Sequence, residues 1–304
     1  MSTDKTSILI LARNEAANIG TCLEAVFSQN FAKPFEVVLV DSESEDATVE
    51  IARRFPVRIE QIPVASFHHA RTRNFAASLA AGDFLVYLAA DACPASNAWL
   101  ESLLGPFDDP QVAAVYGRHL ARAGATAERS ATLTTIYGEQ PVVKDRSKKR
   151  ELGHRCYHFS TVNAALRRAV WEQVKFPAVQ VFEDVAIAKR LIEAGWKIAY
   201  EPRAAVFHSH NHTTDNLLKR YFDIGVTWRR LGIWDRDFRT SLMRDAWRLM
   251  LNGNGNGHHS GNGSSHRGSL RLHAAKFAGV ALGLNERLLP LSVKKRLSAF
   301  RLFD

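Results

Sequence analysis

Cysteine is scarce in this chain. Its 304 residues include three cysteines, Cys22, Cys93 and Cys156, and none stands in a C-x-x-C pair or another spacing typical of metal or redox sites. A disulfide framework is therefore not expected, and reduced thiols indicate a cytosolic protein. A hydrophobic content of 46% is ample for a buried core, so the fold needs no covalent cross-link.

Long uninterrupted apolar runs are missing too. The longest apolar stretch towards the C-terminus, residues 277–291, contains Asn285, Glu286 and Arg287, whereas a membrane-spanning helix requires about 18 or more apolar residues. The N-terminal MSTDKTS has neither the basic start nor the apolar core of a signal peptide. We therefore expect a cytoplasmic protein that does not cross a membrane. Peripheral contact with the inner face of the plasma membrane stays open.

Two glycine motifs that bind nucleotide phosphates are absent. No G-x-G-x-x-G follows the first apolar run and no G-x-x-x-x-G-K-[ST] occurs in the chain, so a glycine loop is not the mode of phosphate binding. Positive charge is abundant, with 40 Lys and Arg against 31 Asp and Glu and a net charge of +9. This excess predicts a negatively charged partner such as nucleotide phosphate, anionic lipid or nucleic acid. Because no nucleic-acid-binding module can be recognised, nucleic acid is not expected.

Three short apolar runs in the first third of the chain end abruptly at polar or acidic residues. The runs 8–11, 37–40 and 84–88 lead into Asn14 and Glu15, into Asp41 and Ser42, and into Asp91. Short β-branched runs are typical of buried parallel strands, and open α/β sheets bind ligands outside the carboxyl ends of such strands. The acids gathered there predict a nucleotide and metal site. The competing interpretation is that Glu15 and Asp46 only cap helices.

Helical spacing alternates with these runs, at 15–28, 46–55 and 70–80. Repeated strand–helix units predict right-handed crossovers and a mostly parallel sheet. Further strands are expected at 57–62, 112–117, 160–166, 197–200 and 204–208, and further helices at 167–174, 183–194, 217–231 and 240–251. Residues 121–158, which contain a basic run from Lys144 to Arg150, are predicted to form a mobile loop or lid flanked by short helices.

The composition changes in the C-terminal part. Residues 252–269 consist mainly of Gly, Asn, Ser and His, which predicts a flexible linker, although its histidines can bind metal. Residues 270–304 return to a basic amphipathic pattern. Membrane-surface association and ordinary packing are both open for this tail.

Two further groups of side chains are candidates for binding phosphate or metal. Arg71 and Arg73, in the segment FHHARTRN, precede the strand that ends near Asp91. Guanidinium groups suit diphosphate oxygens, although two arginines can also lie on a solvated helix face. His208 and His210 stand two residues apart at the end of a predicted strand. This spacing points both imidazoles to one face, with His208 the better candidate for a metal ligand.

Several motifs follow one another in order along roughly residues 6–230. They are SILILARNEAANI, VVLVDSESEDAT, FHHARTRNFAASLAAGDFLVYLAADACP, VYGRH, FSTVNAALRRAVWEQVKFP, FEDVAIAKRLIEAGWKIAY and AVFHSHNHT. Together they resemble family 2 glycosyltransferases of the GT-A type, particularly the bacterial rhamnosyltransferase-like branch. The resemblance implies an α/β fold with a Rossmann-like, mostly parallel sheet flanked by helices and a C-terminal helical extension.

The resemblance also implies a domain organisation. A GT-A domain would cover residues 1–230, with a nucleotide-sugar half at 1–117 and an acceptor half at 118–230. A helical extension at 231–251, the linker at 252–269 and the basic tail at 270–304 would follow.

Individual residues acquire roles from the same resemblance. Those on the donor side are Ala12, Glu15, Asp41 and Ser42 in the nucleotide pocket, Arg71 and Arg73 near the donor phosphates, and Asp91 as the metal-binding acid of the family's D-x-D motif. The first acid of that motif is Ala89 here, so one carboxylate stands where many relatives have two. His208 falls in a region that supplies a late metal or diphosphate contact, and the implied cofactor is Mg²⁺ or Mn²⁺.

Glu183 and Asp184 match the family's E-D pair on the acceptor side. An inverting transfer needs one carboxylate to remove the proton of the acceptor hydroxyl, and Asp184 is expected to be this base. Glu183 is expected to orient the acceptor. The competing interpretation of the pair is ordinary negative charge at a helix N-terminus.

The implied function is an inverting, metal-assisted transfer of a sugar from a nucleotide-sugar donor. The leading hypothesis is rhamnose from dTDP-rhamnose, moved to a hydroxyl of a surface-glycan or lipid-linked acceptor. One alternative is a non-enzymatic protein that binds nucleic acid or anionic lipid through its basic charge. Another is a degenerate transferase that binds the donor without turnover. This alternative stays open because Ala89 stands where the family has the first acid of its D-x-D motif. A processive polysaccharide synthase is not favoured, because the Q-x-x-R-W signature and membrane spans are missing.

Overall fold

The computed structural model of the protein describes residues 5–211, 213–235, 239–240 and 264–303. The chain divides into two units according to which parts of its backbone lie close together. We call them the sheet unit, Met1–Arg146, Tyr157–Val179 and Glu183–His210, and the helical unit, Ser147–Cys156, Gln180–Phe182 and Asn211–Asp304.

Nine strands and eleven α-helices can be traced in the described part of the chain. The strands are β1 (Thr6–Ala12), β2 (Phe35–Asp41), β3 (Arg58–Gln61), β4 (Phe84–Ala89), β5 (Cys93–Pro94), β6 (Val112–Leu120), β7 (Val142–Lys144), β8 (Asn163–Arg167) and β9 (Lys197–Phe207). The helices are α1 (Ile19–Phe27), α2 (Thr48–Ala52), α3 (His69–Leu79), α4 (Trp99–Leu104), α5 (Ala127–Ile136), α6 (Lys149–Leu152), α7 (Arg168–Val174), α8 (Glu183–Glu193), α9 (Thr214–Arg230), α10 (Ser264–Leu284) and α11 (Leu291–Leu297).

All nine strands belong to one sheet in the order β3-β2-β1-β4-β8-β6-β9-β5, with β7 paired to β9. The strands β3, β2, β1 and β4 run parallel, β8 is antiparallel to β4 and β6, and β6 and β9 are parallel again. The register aligns Ala12 with Asp41 and Leu11 with Ala89. The carboxyl ends of β1, β2 and β4 therefore meet at one edge of the sheet, and the expected α/β fold class is confirmed.

The central strands form because their side chains are buried on both faces. In β1, Ile8, Leu9 and Ile10 have no exposed surface, as expected for parallel strands that helices cover on both sides. Leu23 and Val26 of α1 belong to the same core. This helix therefore packs against the same core as β1.

Strand β9 is one irregular strand, whereas the sequence predicts two short strands. Its register on β6 shifts between Gly117, which faces Glu201, and Arg118, which faces Ala205. The residues between Glu201 and Ala205 therefore form a bulge. A Cβ atom on Gly117 would lie 1.9 Å from the carbonyl oxygen of Ala204, so the close approach of the two backbones requires glycine.

The region 121–158, predicted as a mobile loop or lid with short helices, contains α5 and α6 and also β7, which pairs with β9. Lys144, the first residue of the basic run, is buried. Its Nζ donates to the hydroxyl of Tyr116 at 3.0 Å and to the carbonyl oxygen of His158. The sequence places Lys144 in a mobile loop or lid, whereas it lies in β7 and is buried, because composition alone does not show that its ammonium group is hydrogen-bonded inside the fold.

The helical unit is built around α9 and α10, whose backbones approach closely. A Cβ atom on Gly283 would lie 2.1 Å from the carbonyl oxygen of Phe222, and one on Gly279 would lie 2.4 Å from that of Leu218. Phe222 and Val226 of α9 are fully buried in the core of this unit. Small residues at the crossing therefore let the two helices pack without a layer of side chains between them.

The C-terminal part differs from the sequence-based organisation in two places. Helix α9 groups with the C-terminal helices, whereas the sequence assigns it to a domain that covers residues 1–230. Residues 264–269 of the predicted linker belong to α10, because a polar composition does not show where a helix begins. Residues 241–263 lie outside the described residues, and nearly all of the helix predicted at 240–251 lies there too. The described residues contain no helix that combines the length and the apolar character of a membrane span.

Candidate active site

A cavity of about 240 Å³ lies at the edge of the sheet where β1 and β4 end. It is lined by Leu9, Leu11, Ala12, Arg13, Glu15, Phe67, His69, Arg73, Tyr87, Leu88, Ala89 and Thr161. We call it the first cavity. It brings together Ala12, Glu15 and Arg73, three residues to which the sequence assigns a role in nucleotide-sugar binding. Arg73 reaches it from α3, so the sheet edge and this helix both contribute to its wall.

Asp41 and Ser42 follow β2 at the same edge. The carboxylate of Asp41 is fully buried and accepts hydrogen bonds from Ser44 N at 3.0 Å, from Ser44 Oγ and from Gln61 Nε2 at 3.3 Å. The backbone N of Ser42 donates to the carbonyl oxygen of Ala12 at 2.9 Å, and the buried Ser42 Oγ has no hydrogen-bond partner among the described residues. Asp41 therefore fixes the turn after β2, while Ser42 leaves one unsatisfied hydroxyl group there.

The loop after β1 is tied to the loop after β2. Asn14 adopts a φ of 53°, its backbone N donates to Ser44 Oγ at 2.9 Å and its Oδ1 accepts from Glu45 N at 2.8 Å. Asp46 accepts from the backbone N of Ala16 at 3.0 Å. The left-handed backbone of Asn14 is thus held on both sides. Asp46 ties the two loops together, whereas the competing interpretation of the sequence makes it a helix cap; the N-cap of α2 is Ala47, without a side-chain cap hydrogen bond.

Asp91, His208 and His210 form a compact cluster. The Nε2 atoms of His210 and His208 lie 3.0 Å and 3.5 Å from Asp91 Oδ2, and they are 3.2 Å from each other. One possible ligand atom from each residue falls within 4.8 Å of the other two. The pairing of β5 with the end of β9 explains this proximity, since Asp91 precedes β5 and the histidines follow β9.

The electrostatics of the cluster suit a divalent cation. Burial alone would raise the pKa of Asp91, but the hydrogen bond from His210 and the nearby His208 lower it. Burial lowers the pKa of His208 to about 4, so this imidazole is neutral at pH 7, and its buried Nδ1 has no partner among the described residues. One carboxylate and two imidazoles offer the mixed oxygen and nitrogen donors that Mn²⁺ accepts. The sequence favours His208 over His210 as a metal ligand. In the structure His210 offers the cluster a third ligand atom, whereas the side chain of Ala89 offers none.

Arg122 is a residue of this site that the sequence pattern missed. Its Nη1 donates to Asn18 Oδ1 at 3.3 Å and its backbone N donates to Ser209 Oγ at 3.0 Å. Asn18 Nδ2 in turn donates to Glu15 Oε2 at 2.7 Å. Burial raises the pKa of Glu15, and the charge of Arg122 opposes this rise. Arg122 lies just after the end of β6, in a segment without a periodic pattern, so no sequence motif marked it.

A second cavity, of about 470 Å³, opens beside Arg122 and Asp91. Its walls are Ala17, Asn18, Thr21, Cys22, Asp91, Ala92, Cys93, Arg122, Ala123 and Phe207. Ala89, two residues before Asp91, lines the first cavity instead. The last residues of β4 therefore line the first cavity and the residues just after β4 line the second, where Asp91 of the histidine cluster lies.

Arg73 connects the first cavity to the start of α8. Its Nη1 lies 2.9 Å from Glu183 Oε1 and donates to the carbonyl oxygen of His69 at 3.1 Å. Burial and the negative charge of Glu183 raise the pKa of the neighbouring Asp184 to about 7. Asp184 can therefore exchange a proton near neutral pH. Arg71, in contrast, is exposed and lines neither cavity.

Comparison with known proteins identifies relatives by sequence. The family model described as "Glycosyl transferase family 2" matches residues 7–175. The O-antigen chain rhamnosyltransferase WbaN of Salmonella anatum is 37% identical over 203 residues, which are 66% of this chain and 64% of WbaN. The O-antigen chain rhamnosyltransferase RfbN of Salmonella typhimurium is 33% identical over 226 residues, which are 73% of this chain and 72% of RfbN. The match to WbaN thus spans less than two thirds of that protein.

Solved structures with low sequence identity share the fold. The mannosyltransferase PcManGT from Pyrobaculum calidifontis, in complex with GDP-Man and Mn²⁺, has a TM-score of 0.63 at 18% identity, over 93% of this chain and 87% of that one. Residues 1–349 of S. aureus TarS, in complex with UDP-GlcNAc, have a TM-score of 0.57 at 15% identity, over 93% and 92% of the two chains. The family model, the sequence relatives and the fold agree, and the chain therefore belongs to glycosyltransferase family 2.

Proposed function

We propose that the protein transfers a sugar from a nucleotide-sugar donor to a glycan acceptor. The names of its rhamnosyltransferase relatives support rhamnose as the sugar, and we infer dTDP-rhamnose as its activated form. The acceptor in this proposal is a hydroxyl group of a surface-glycan precursor or of a lipid-linked saccharide. The reaction would take place in the cytoplasm, at the inner face of the plasma membrane.

One observation carries this proposal. Arg73 lines the first cavity and pairs with Glu183 at 2.9 Å, beside a carboxyl group, Asp184, whose pKa is raised to about 7. The arrangement joins a cation that can bind diphosphate to a carboxylate that can accept a proton at neutral pH. Those are the two functions that a sugar transfer with inversion needs from protein side chains.

The proposed mechanism assigns a step to each group. Asp184 takes the proton of the acceptor hydroxyl while its oxygen attacks the anomeric carbon on the face opposite the diphosphate. The bond between that carbon and the diphosphate oxygen breaks, so the nucleoside diphosphate leaves with the electron pair and the anomeric configuration inverts. Arg73 stabilises the negative charge that develops on the diphosphate, and Glu183 holds Arg73 in place and helps to orient the acceptor.

The nucleoside is proposed to bind beside Ala12, with Glu15 and the unsatisfied Ser42 hydroxyl as hydrogen-bonding groups and with Asp41 fixing the loop. The fit described above supports Asp91, His208 and His210 as ligands of a divalent cation, Mg²⁺ or Mn²⁺. When bound, such an ion neutralises charge on the diphosphate. Metal dependence is therefore part of the proposal.

A panel of UDP-, GDP- and dTDP-sugars, assayed for donor hydrolysis with and without Mn²⁺, tests the proposal. We expect dTDP-rhamnose to be hydrolysed fastest and EDTA to suppress the reaction. Asp184→Asn should abolish transfer while nucleotide affinity is kept. Normal turnover by this variant, with the true donor and acceptor, would refute Asp184 as the base. Hydrolysis of a different donor alone would refute the assignment of the sugar but not that of the reaction.

A second candidate function is that of a protein that binds the donor without turnover. Ala89 favours it, because this residue stands where the family has the first acid of the D-x-D motif. This candidate predicts nucleotide-sugar affinity in calorimetry with no hydrolysis and no transfer under any metal condition. His210 argues against it, since its imidazole lies 3.0 Å from Asp91 and adds a donor to the cluster that lacks the first acid.

A further inference from the structure

The C-terminal end of the helical unit separates into a packed part and an exposed part. Helix α10 packs against α9 through Gly279 and Gly283. After it comes the segment 287–296, which we call the docking segment. Its side chains Leu288, Leu291 and Val293 are 82%, 58% and 38% exposed.

These exposed side chains are not the inner face of a helix that lacks its core. Leu289 and Leu297, which lie in or beside the same segment, pack against the core of Phe222 and Val226. The inward-facing side chains of the segment are therefore already packed within the helical unit. Leu288 and Leu291 point outward in addition, and with Val293 they place three exposed apolar side chains close together in the sequence, whereas scattered single ones would be ordinary.

The stretch of chain that contains these leucines is rich in basic residues. Residues 264–303 contain eight basic residues, Arg267, Arg271, Lys276, Arg287, Lys294, Lys295, Arg296 and Arg301, and one acid, Glu286. This acid is buried and lies 3.1 Å from Lys294. Arg287, Lys295 and Arg296 of the docking segment are all exposed.

We propose that the docking segment binds the surface of a bilayer that contains anionic phospholipids. Leucine and valine side chains gain free energy by entering the boundary between headgroups and acyl chains, and basic side chains beside them attract acidic headgroups. The two contributions are complementary here, because Leu288 and Leu291 lie between Arg287 and Lys295 along a short stretch of chain. A nucleic acid would use the basic groups but would leave the leucines in water.

The expected binding is reversible and sensitive to salt. A few apolar side chains give only a weak membrane affinity, and stable anchoring requires a second attraction such as a basic patch. Headgroup attraction acts over about a Debye length and weakens as ionic strength rises. The segment therefore predicts a peripheral protein that leaves the bilayer at high salt.

This inference deepens the proposed function, because a lipid-linked acceptor is presented at such a surface. The binding test needs neither donor nor acceptor, so its outcome is independent of the sugar-transfer assays. Absence of vesicle binding would overturn the docking segment and leave the transferase proposal untouched. Absence of sugar transfer would refute the transferase proposal and leave the docking segment untouched.

The test is co-sedimentation of the full chain with sucrose-loaded vesicles of phosphatidylcholine alone or with a quarter of phosphatidylglycerol. We expect binding to the acidic vesicles at least ten-fold tighter than to the neutral ones, with a marked decrease when salt rises from about 0.1 M to 0.5 M. Leu288→Asp with Leu291→Asp should weaken it ten-fold or more. Lys295→Gln with Arg296→Gln should reduce the binding and its dependence on salt.

A matched control places the same change on exposed apolar residues of the sheet unit. Ile136 and Val143 are 46% and 49% exposed, so Ile136→Asp with Val143→Asp adds the same charge and should bind acidic vesicles like the unmodified chain. Circular dichroism and thermal unfolding check that each variant is folded. Equal binding to both vesicle types, or equal loss in the control, would overturn the proposal. A dimer that dissociates only in the Leu288→Asp, Leu291→Asp variant would assign the surface to a second copy instead.

Discussion

The guanidinium of Arg73 lies 2.9 Å from the carboxylate of Glu183, and the side chains are only 15% and 7% exposed. This ion pair joins α3 to the first turn of α8 inside the sheet unit. Removal of one partner from such a buried pair leaves the other charge without compensation. The pair also sets the field at Asp184, because Glu183 raises the pKa of Asp184 and Arg73 lowers it.

Glu183→Gln is therefore expected to shift the pH dependence of transfer. The proposed base must be ionised, so the rate of the unmodified enzyme should fall as pH decreases through about 7, the value to which the pKa of Asp184 is raised. Loss of the Glu183 charge removes a cause of this rise and leaves Arg73 unpaired, and both effects lower the pKa. The acid limb of kcat/KM against pH should move down by about one unit.

The same helix offers the control. Glu193 lies 2.6 Å from Lys189 in a half-exposed pair, and Glu193→Gln should leave the profile unchanged. An acid limb that stays in place in Glu183→Gln, or that moves equally in Glu193→Gln, would contradict the role of the buried pair. A general loss of activity without a shift would indicate a structural role alone.

The fold was largely predictable because its central strands have an unambiguous signal. Runs such as the one in β1 are fully buried, and helical spacing separates them along the chain. Strand β7 has no such signal, since it is three residues long and ends at Lys144, whose burial depends on partners elsewhere in the sequence. The bulge in β9 likewise depends on the close approach of Ala204 to Gly117, which no local pattern encodes.

The candidate site was predictable as a set of residues but not as a set of contacts. The motifs indicated Arg73 and Glu183 separately, as a phosphate contact and an acceptor contact, whereas their pairing follows from tertiary packing. His210 gained importance only because β5 places Asp91 against the end of β9. Arg122 was missed because it lies beyond β6 in a segment without a periodic pattern, and its contact with Asn18 follows from tertiary packing.

Asp184→Asn is expected to stabilise the folded protein at neutral pH. The pKa of Asp184 is raised from 3.8 to about 7 in the folded protein, so between these values the unfolded chain releases a proton that the folded protein keeps. The free energy of unfolding therefore decreases as pH rises through this window, by up to about 1.4 kcal/mol per pH unit. Below it, both states are protonated and the penalty is absent.

Urea denaturation at two pH values measures this effect. At pH 8 the variant should be more stable than the unmodified protein by about 1–4 kcal/mol, and near pH 4 the two should unfold at similar urea concentrations. Asp215→Asn, a change at a 71% exposed carboxylate, should give no such dependence on pH. A stability difference that is the same at both pH values would mean that burial of the Asp184 charge is not its cause.

His210→Ala is expected to weaken Mn²⁺ binding by roughly 10–100-fold. Its Nε2 lies 3.0 Å from Asp91 Oδ2, and without it the cluster retains one carboxylate and one imidazole. Titration of Mn²⁺ followed by electron paramagnetic resonance of the free ion, without donor, measures the affinity directly. His68→Ala is the control, since that imidazole accepts a hydrogen bond from Arg71 N at the start of α3. Unchanged Mn²⁺ affinity in His210→Ala would remove this residue from the metal site.

Arg122→Ala is expected to reduce kcat/KM for the donor by about ten-fold or more. Two consequences add together, because Asn18 loses the guanidinium that orients it and Glu15 and Asp91 lose a positive charge that lowers their pKa values. Arg122→Lys keeps the charge but not the fork of donors, so it should recover only part of the loss. Arg118→Ala is the matched control, since Arg118 lies near the end of β6, the strand that leads to Arg122, but pairs with the exposed Glu139 at 3.3 Å. Steady-state kinetics at several donor concentrations separate KM from kcat, and equal effects at both arginines would show that Arg122 acts only through general charge.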